Sequence, residues 1–434
     1  MSKTKIKSTF ARKVWDSRGL PTIEVEVTLN YNAKGRATAP SGRSIGTGEA
    51  VEIRDGGMGF KGFGVNRSIE TVNSKIAPLL KGKDASNQVT IDKLLIDLDN
   101  TADKSCLGSN AMIATSIAIA KATADAMKMP LWQYLHENEN TLDHPTLPLP
   151  EVEIFGGGAH ANKRVDVQSY MVTAIGAETF NEALEWSASV YHAATNLMEL
   201  DGKLMGVSDE GGLWPEFKDN EQALEFLLRA IESAGLTPGQ DIAISLDIAA
   251  SQFGSKNNYY LLCDGRELNS DELSGLLVDW TERYPIVSIE DPMAEGDKEG
   301  FVRFTWAVGK KIQVIGDDFL VTKASRIKSA ARDSACNAVM IKPNQAGTLT
   351  ETRKALEAAV NSDLGTVIST RSGETEDVSV IHIAVGWSIE QLKIGSITRG
   401  ERTAKWNEGL RIAESLNNGG KLRHIDRFPW RNRA

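Results

Sequence analysis

A chain of 434 residues, 41% hydrophobic and 25% charged, is a globular protein and not a disordered or fibrous one. Its length exceeds the roughly 250–300 residues at which a single core stops growing, so two or more domains are expected. A net charge of −9 excludes a nucleic-acid or anionic-membrane binder, which needs a cationic face, and leaves any anionic ligand dependent on local cations or a metal.

The first residues, MSKTKIKSTF, carry charge but no apolar stretch of signal-peptide length, and no run of about 18 apolar residues occurs anywhere. The expectation is an untargeted cytoplasmic protein. In KVWDSRGLPTIEVEVTLN (13–30), Ile23, Val25 and Val27 alternate with acids, which predicts a half-buried antiparallel strand. The segment 110–135, rich in Ala, Ile and Met, predicts a helix buried on most sides whose main part Pro130 closes. Polar residues and prolines then gather in HENENTLDHPTLPLP (136–150), placing a domain boundary there, with units 1–143 and 144–434. Cys106, Cys263 and Cys336 are far apart in apolar surroundings and are expected as reduced core thiols.

After about residue 240 a strict pattern appears. Short apolar strands carry Asp247, Glu290, Asp317, Lys342, Thr370 and Lys393 at or near their ends, at steps of 43, 27, 25, 28 and 23 residues. Most steps are one βα unit long, which predicts a parallel sheet closed into a (β/α)-barrel. An open doubly wound sheet is the competitor, but no G-x-G-x-x-G follows a first strand.

Polar strand ends converge at the mouth of such a barrel. Asp247, Glu290 and Asp317 would repel one another there unless a cation neutralised them, and an all-oxygen donor set suits Mg²⁺ or Mn²⁺ better than zinc. Lys342 and Lys393 follow in the same series. A lysine beside another cation and a metal has its ammonium form disfavoured and can act as a base; solvated rim lysines are the alternative. Arg371 and Ser372 open a Thr-Arg-Ser-Gly loop suited to an anion clamp. An internal pair of Arg371 with Glu374 or Glu376 is the other reading.

Together with DSRGLPTIEVEV, APSGRSIGTGEA, GGGAHANKRVDVQSYM, SDEGG, SLDIAAS, SIEDP, IGDDFLVTK, IKPNQAGTLTE, RSGETED and RGERTAKWNEGLRI, these residues closely resemble the enolase family, in order along nearly the whole chain. The resemblance implies an α/β fold: a modified (β/α)8 enolase-type barrel with an N-terminal α+β capping domain. It also implies two Mg²⁺ per active site, a small phosphorylated or phosphono acid substrate, and a homodimer or higher homo-oligomer. Carried over, Asp247, Glu290 and Asp317 hold the first metal and Ser44 contacts the second. Lys342 is the base and Glu210 the acid. Lys393 meets the substrate carboxylate, Arg371 and Ser372 its phosphate, and His160 and Gln168 line the pocket.

Three departures stand out. The family pattern has Gln-Glu-Phe where this chain has Gln168-Ser169-Tyr170, His where it has Thr370, and usually a small residue where it has Arg43. Arg43 could meet an extra negative group, as in carboxyphosphonoenolpyruvate synthase, an enolase relative of phosphonate pathways. The expected function is therefore an enolase-type hydro-lyase acting on 2-phosphoglycerate or a close phosphono analogue. Ordinary glycolytic enolase is one alternative, and a non-catalytic enolase-like binding or structural protein is another.

Overall fold

The computed structural model describes residues 2–138, 145–416, 418–422 and 428–432. Strands β1 (Ile6–Trp15), β2 (Pro21–Leu29) and β3 (Lys34–Thr38) form an antiparallel sheet in that order. Ile23, Val25 and Val27 are fully buried, as their alternation predicts. The expected wet face is largely dry, however. Glu24 is also buried, because Arg12 lies 2.5 Å and Arg36 3.3 Å from its carboxylate.

The helix Ser109–Met127 packs on this sheet, buried from Ser109 through Ile113 and along most of its length. Its small side chains permit an unusually close approach. A Cβ on Gly35 of β3 would stand 2.0 Å from the Ala118 carbonyl oxygen. The helix is shorter than predicted: Lys128 turns left-handed at φ 60°, and Pro130 caps a separate helix, Leu131–Glu137. The expected boundary at 143/144 lies outside the described residues.

The second unit is a closed eight-stranded barrel ordered β10-β11-β12-β13-β14-β4-β5-β6. Its strands are β4 (Leu149–Gly156), β5 (Ser169–Thr173), β6 (Ala243–Asp247), β10 (Ile286–Glu290), β11 (Gln313–Gly316), β12 (Ala338–Ile341), β13 (Gly365–Ser369) and β14 (Gln391–Gly395). All neighbours pair in parallel except β5, which is antiparallel to both β4 and β6. The link from β4 to β5 holds one short helical turn, Gly158–Ala161, and no crossover helix, so the chain can only double back. Two helices, Phe180–Leu200 and Asn220–Ser233, then precede β6. The long 43-residue step has a local cause: a small antiparallel sheet of β7 (Gly254–Ser255), β8 (Asn258–Leu261) and β9 (Arg266–Leu268) is inserted after β6.

Only Cys336 is a buried thiol; Cys263 is half-buried and Cys106 exposed, since Cys106 lies in the turn that precedes the Ser109 helix. Among the described residues no helix is long and apolar enough to cross a membrane.

The two units are joined by charge as well as by packing. Lys121, on the buried helix, lies 3.0 Å from Asp377 of the barrel, whose carboxylate also accepts the backbone N–H of Thr38 at 3.1 Å. Burial opposes ionisation of Asp377, but Lys121 and the Ser379 hydroxyl and N–H outweigh it and bring its pKa to about 2. A carboxylate depressed below its ordinary value stabilises the fold above that value and loses the contribution as pH falls through the folded one. Asp377→Asn is therefore expected to cost about 2 kcal/mol at pH 7, a difference that shrinks between about pH 4 and pH 2. Urea unfolding of both proteins across that range measures it.

Candidate active site

Strand register brings the site together. Glu290 sits beside Asp247, Asp247 beside Ser169, and Lys393 between Ser369 and Glu151. Asp317, Lys342 and Thr370 each stand at the carboxyl end of their strands. From β14, Lys393 Nζ reaches 2.6 Å from Asp247 Oδ2 and 2.6 Å from Glu290 Oε2. Lys342 Nζ is in direct contact with Asp317 Oδ2, which shares its carboxylate with Gln345 Nε2 at 3.1 Å.

These charges are almost dry. Burial drives the Glu290 carboxyl well above its usual range, and Asp247 adds to the effect. Burial works against both ammonium groups. For Lys393, Asp247 and Glu290 more than offset it; for Lys342, Asp317 does. Counting the chain's own groups alone, both lysines are thus held charged. The carboxylates win because they are closer.

Lys342 is fixed from behind by a turn that carries strain. Val321 and Thr322 adopt φ of 46° and 51°, rare for β-branched residues. That turn lets Thr322 Oγ1 accept the Lys342 N–H at 2.9 Å while donating to Gln345 Oε1 at 2.6 Å. Asp291 accepts the N–H groups of Asp317 and Asp318 at 2.9 and 2.8 Å and so shapes the end of β11.

Glu210 faces this cup from the 207–212 loop, with His160 Nε2 3.9 Å from its carboxylate. Burial favours the neutral imidazole of His160, so the approach is not an ion pair near neutrality. Burial also opposes ionisation of Glu210, but His160 in its protonated form, at acid pH, and Arg402, Lys393 and Lys342 throughout keep its carboxyl below the ordinary range. Gln168 donates to Asp247 Oδ2 at 2.6 Å.

The anion-clamp loop is engaged differently from either sequence reading. Arg371 is buried and pairs with Glu49 of the N-terminal unit, at 2.9 and 3.2 Å, and donates to the Ser44 carbonyl at 2.7 Å. Glu374 takes only its backbone N–H. Ser372 Oγ accepts the Arg43 N–H at 2.9 Å, and Ser41 and Gly373 exchange backbone hydrogen bonds. Gly42 leaves room for Arg371: a Cβ there would stand 2.1 Å from its Nη2. Ser44 Oγ reaches Asp318 at 3.3 Å. Arg43 lines the pocket, and its side chain lies 2.7 Å from Asp209, an ion pair that joins the two loops.

Thr370 fits where histidine was expected. Its hydroxyl donates to the Ile394 carbonyl at 3.0 Å and accepts from Arg402 Nη1 at 3.1 Å. Arg402, fully buried on the helix Gly400–Ser415, also donates to the carbonyls of Arg371, Ile394 and Ser372 at 2.9, 3.0 and 2.8 Å. Sequence reasoning missed Arg402, Glu49 and Glu153. An arginine and a lysine, Arg402 and Lys405, within one helix turn are ordinarily solvated. The acids in PEVEIF were the overlooked signal, since charges inside an apolar strand need a reason.

The donor set suits a hard divalent cation. Asp247, Glu290 and Asp317 offer only oxygen, and Glu290 Oε1 is buried with no hydrogen-bond partner among the described residues. The three do not form one tight group, since a lysine stands against each. The tight groups, with candidate ligand atoms within 4.8 Å, are Asp291–Asp317–Asp318 and Glu153–His160–Glu210.

A dry cup of paired acids and lysines at the carboxyl mouth of a β/α barrel, roofed by a loop from a second unit, has the form of a barrel enzyme's active site. Family models described as "Enolase, N-terminal domain" and "Enolase, C-terminal TIM barrel domain" match residues 6–135 and 144–427. The chain is 46% identical over 420 residues to "Enolase 1" of Desulfitobacterium hafniense (strain Y51), covering 96% of this chain and 95% of that one. It belongs to the enolase family and is a lyase of the phosphopyruvate hydratase kind.

Replacing Arg402 by Met leaves four buried acceptors facing an apolar chain, which is expected to cost about 3–5 kcal/mol. The check is chemical denaturation, with proteolysis expected to open first in the 370–373 loop.

Proposed function

We propose that this enzyme removes water from 2-phosphoglycerate to give phosphoenolpyruvate. The observation that carries the reading is the placement of Lys342 and Glu210 in one buried pocket with Lys393, which sits between Asp247 and Glu290: a base, an acid and a cation for the charge that develops. In this reading Lys342 Nζ takes the proton from the carbon next to the carboxylate. The electron pair moves into the carboxylate, making an ene-diolate whose second negative charge Lys393 faces. The bond to the hydroxyl then breaks, and a proton delivered through Glu210 lets it leave as water. Arg371 and Ser372 hold the phosphate, and His160 and Gln168 fix the hydroxyl end.

Asp247, Glu290 and Asp317 are the residues to hold one Mg²⁺, with Ser44 directed to a second. Magnesium, when bound, supplies the positive charge that a dianionic carboxylate requires. With Asp317 engaged in holding the ion, Lys342 would no longer be tied to it and would be free to act as the base.

Arg43 decides between this reading and the phosphono analogue. An added carboxylate on the substrate would need a spare cation, and Asp209 supports the view that Arg43 is already committed. Family membership extends the proposal to a cytoplasmic homodimer, which sedimentation of the purified protein tests.

With Mg²⁺ and 2-phosphoglycerate, absorbance of the enol product is expected to rise. Lys342→Ala should abolish the rise, and Glu210→Gln should slow it about 10²–10⁴-fold. Absence of turnover by the unmodified enzyme, with Mg²⁺-dependent binding of a phosphono acid, would replace this substrate with the analogue.

A further inference from the structure

The enolase pattern has a carboxylate at position 169, and here the position is serine. Ser169 Oγ nevertheless donates to a carboxylate, Glu153 Oε1, at 2.8 Å. Glu153 lies on β4 opposite Met171 of β5, so Ser169, two residues along, shares its face of the ladder. The side chain of Glu153 is 1% exposed. Its other oxygen accepts from Ser208 Oγ at 3.2 Å and from the Gly212 N–H at 3.0 Å, and Gly212 has no room for a Cβ, which would meet Oε2 at 2.5 Å. Candidate ligand atoms of Glu153, His160 and Glu210 fall within 4.8 Å of one another.

We propose that Glu153 is a positioning residue for dehydration: its carboxyl replaces the acid missing at 169 and holds, behind Glu210, the proton that departs with the hydroxyl. This rests on the dehydration reading above.

Two carboxylates this close in a dry pocket do not both ionise at neutral pH. Burial, and then Glu210, raise Glu153 to about 7, whereas Glu210 stays low among cations. Up to about pH 7 the pair therefore carries its one proton on Glu153 and its charge on Glu210. The other groups facing the pair are His160, neutral by burial; Tyr191, whose hydroxyl donates to the Gly211 carbonyl at 3.3 Å; and Arg402, Lys393 and Lys342 on the Glu210 side. An arriving anionic substrate weakens the cations' hold on Glu210. The O–H bond of Glu153 then breaks and one forms on Glu210. That proton joins the departing hydroxyl as the carbon–oxygen electron pair leaves with it, giving water. The proton taken by Lys342 is released to solvent, and Glu153 regains one from solvent, so the cycle balances.

The test compares Glu153→Gln with the double variant Glu153→Gln, Ser169→Glu. The single variant is expected to lower kcat on 2-phosphoglycerate about 10²-fold with little change in KM and to remove the limb of the pH profile near 7. The double variant is expected to regain at least about tenfold, in keeping with a general-acid role. A single variant within about threefold of the unmodified enzyme, or a double variant with no recovery, overturns the proposal. Infrared titration of the substrate-free enzyme separates this from failure of the proposed reaction. A carboxylic acid band titrating near pH 7 should be present in the unmodified enzyme and should move to higher pH in Ser169→Ala, which loses a donor to the charged form. Absence of the band, or no movement, overturns the role of Glu153 whatever the substrate proves to be.

Discussion

The ammonium of Lys393 between Asp247 and Glu290 is the contact on which the barrel mouth depends. Two carboxylates on adjacent strands, nearly inaccessible to water, cannot share a low-dielectric site without positive charge between them. Lys342 performs the same service for Asp317. The charges that make the site reactive also decide its architecture: strand ends turn polar, loops from both units close over them, and the strained turn at Val321 and Thr322 persists because it secures Lys342.

The three departures from the enolase pattern share a property. Each new side chain has a partner close at hand. Thr370 joins the Arg402 network, Ser169 donates to Glu153, and Arg43 pairs with Asp209. A pocket decaying without function would be expected to leave buried groups unmatched, since nothing would select against the cost. The matched partners argue for a site rearranged while in use.

Much of this was legible in the residues. The six strands from β6 to β14 that build most of the barrel stood out because each is apolar and ends in a polar residue, and the enolase motifs supplied the rest of the order. β4 and β5 were harder to read: two acids interrupt the first, and a hairpin link has none of the helical periodicity that marks a βα unit. Glu24 shows the other limit. Alternation in β2 predicted a wet face that is in fact largely dry, and nothing local shows that Arg12 and Arg36 lie across it. Arg402 was invisible for the same reason, because burial of a charged side chain is decided by acceptors from distant loops.

The reversed strand β5 has a further consequence. Parallel neighbours in the barrel pair through their backbones but are separated along the chain by at least one helix. β4 and β5 instead form a hairpin whose linked end, with His160 and Gln168, faces the mouth, so one short stretch furnishes two walls of the pocket. A functional group can migrate across that ladder by paired point substitutions without moving any backbone. In this chain the hairpin places Ser169 and Glu153 in direct contact across two strands, so a change in either side chain is felt at once by the other.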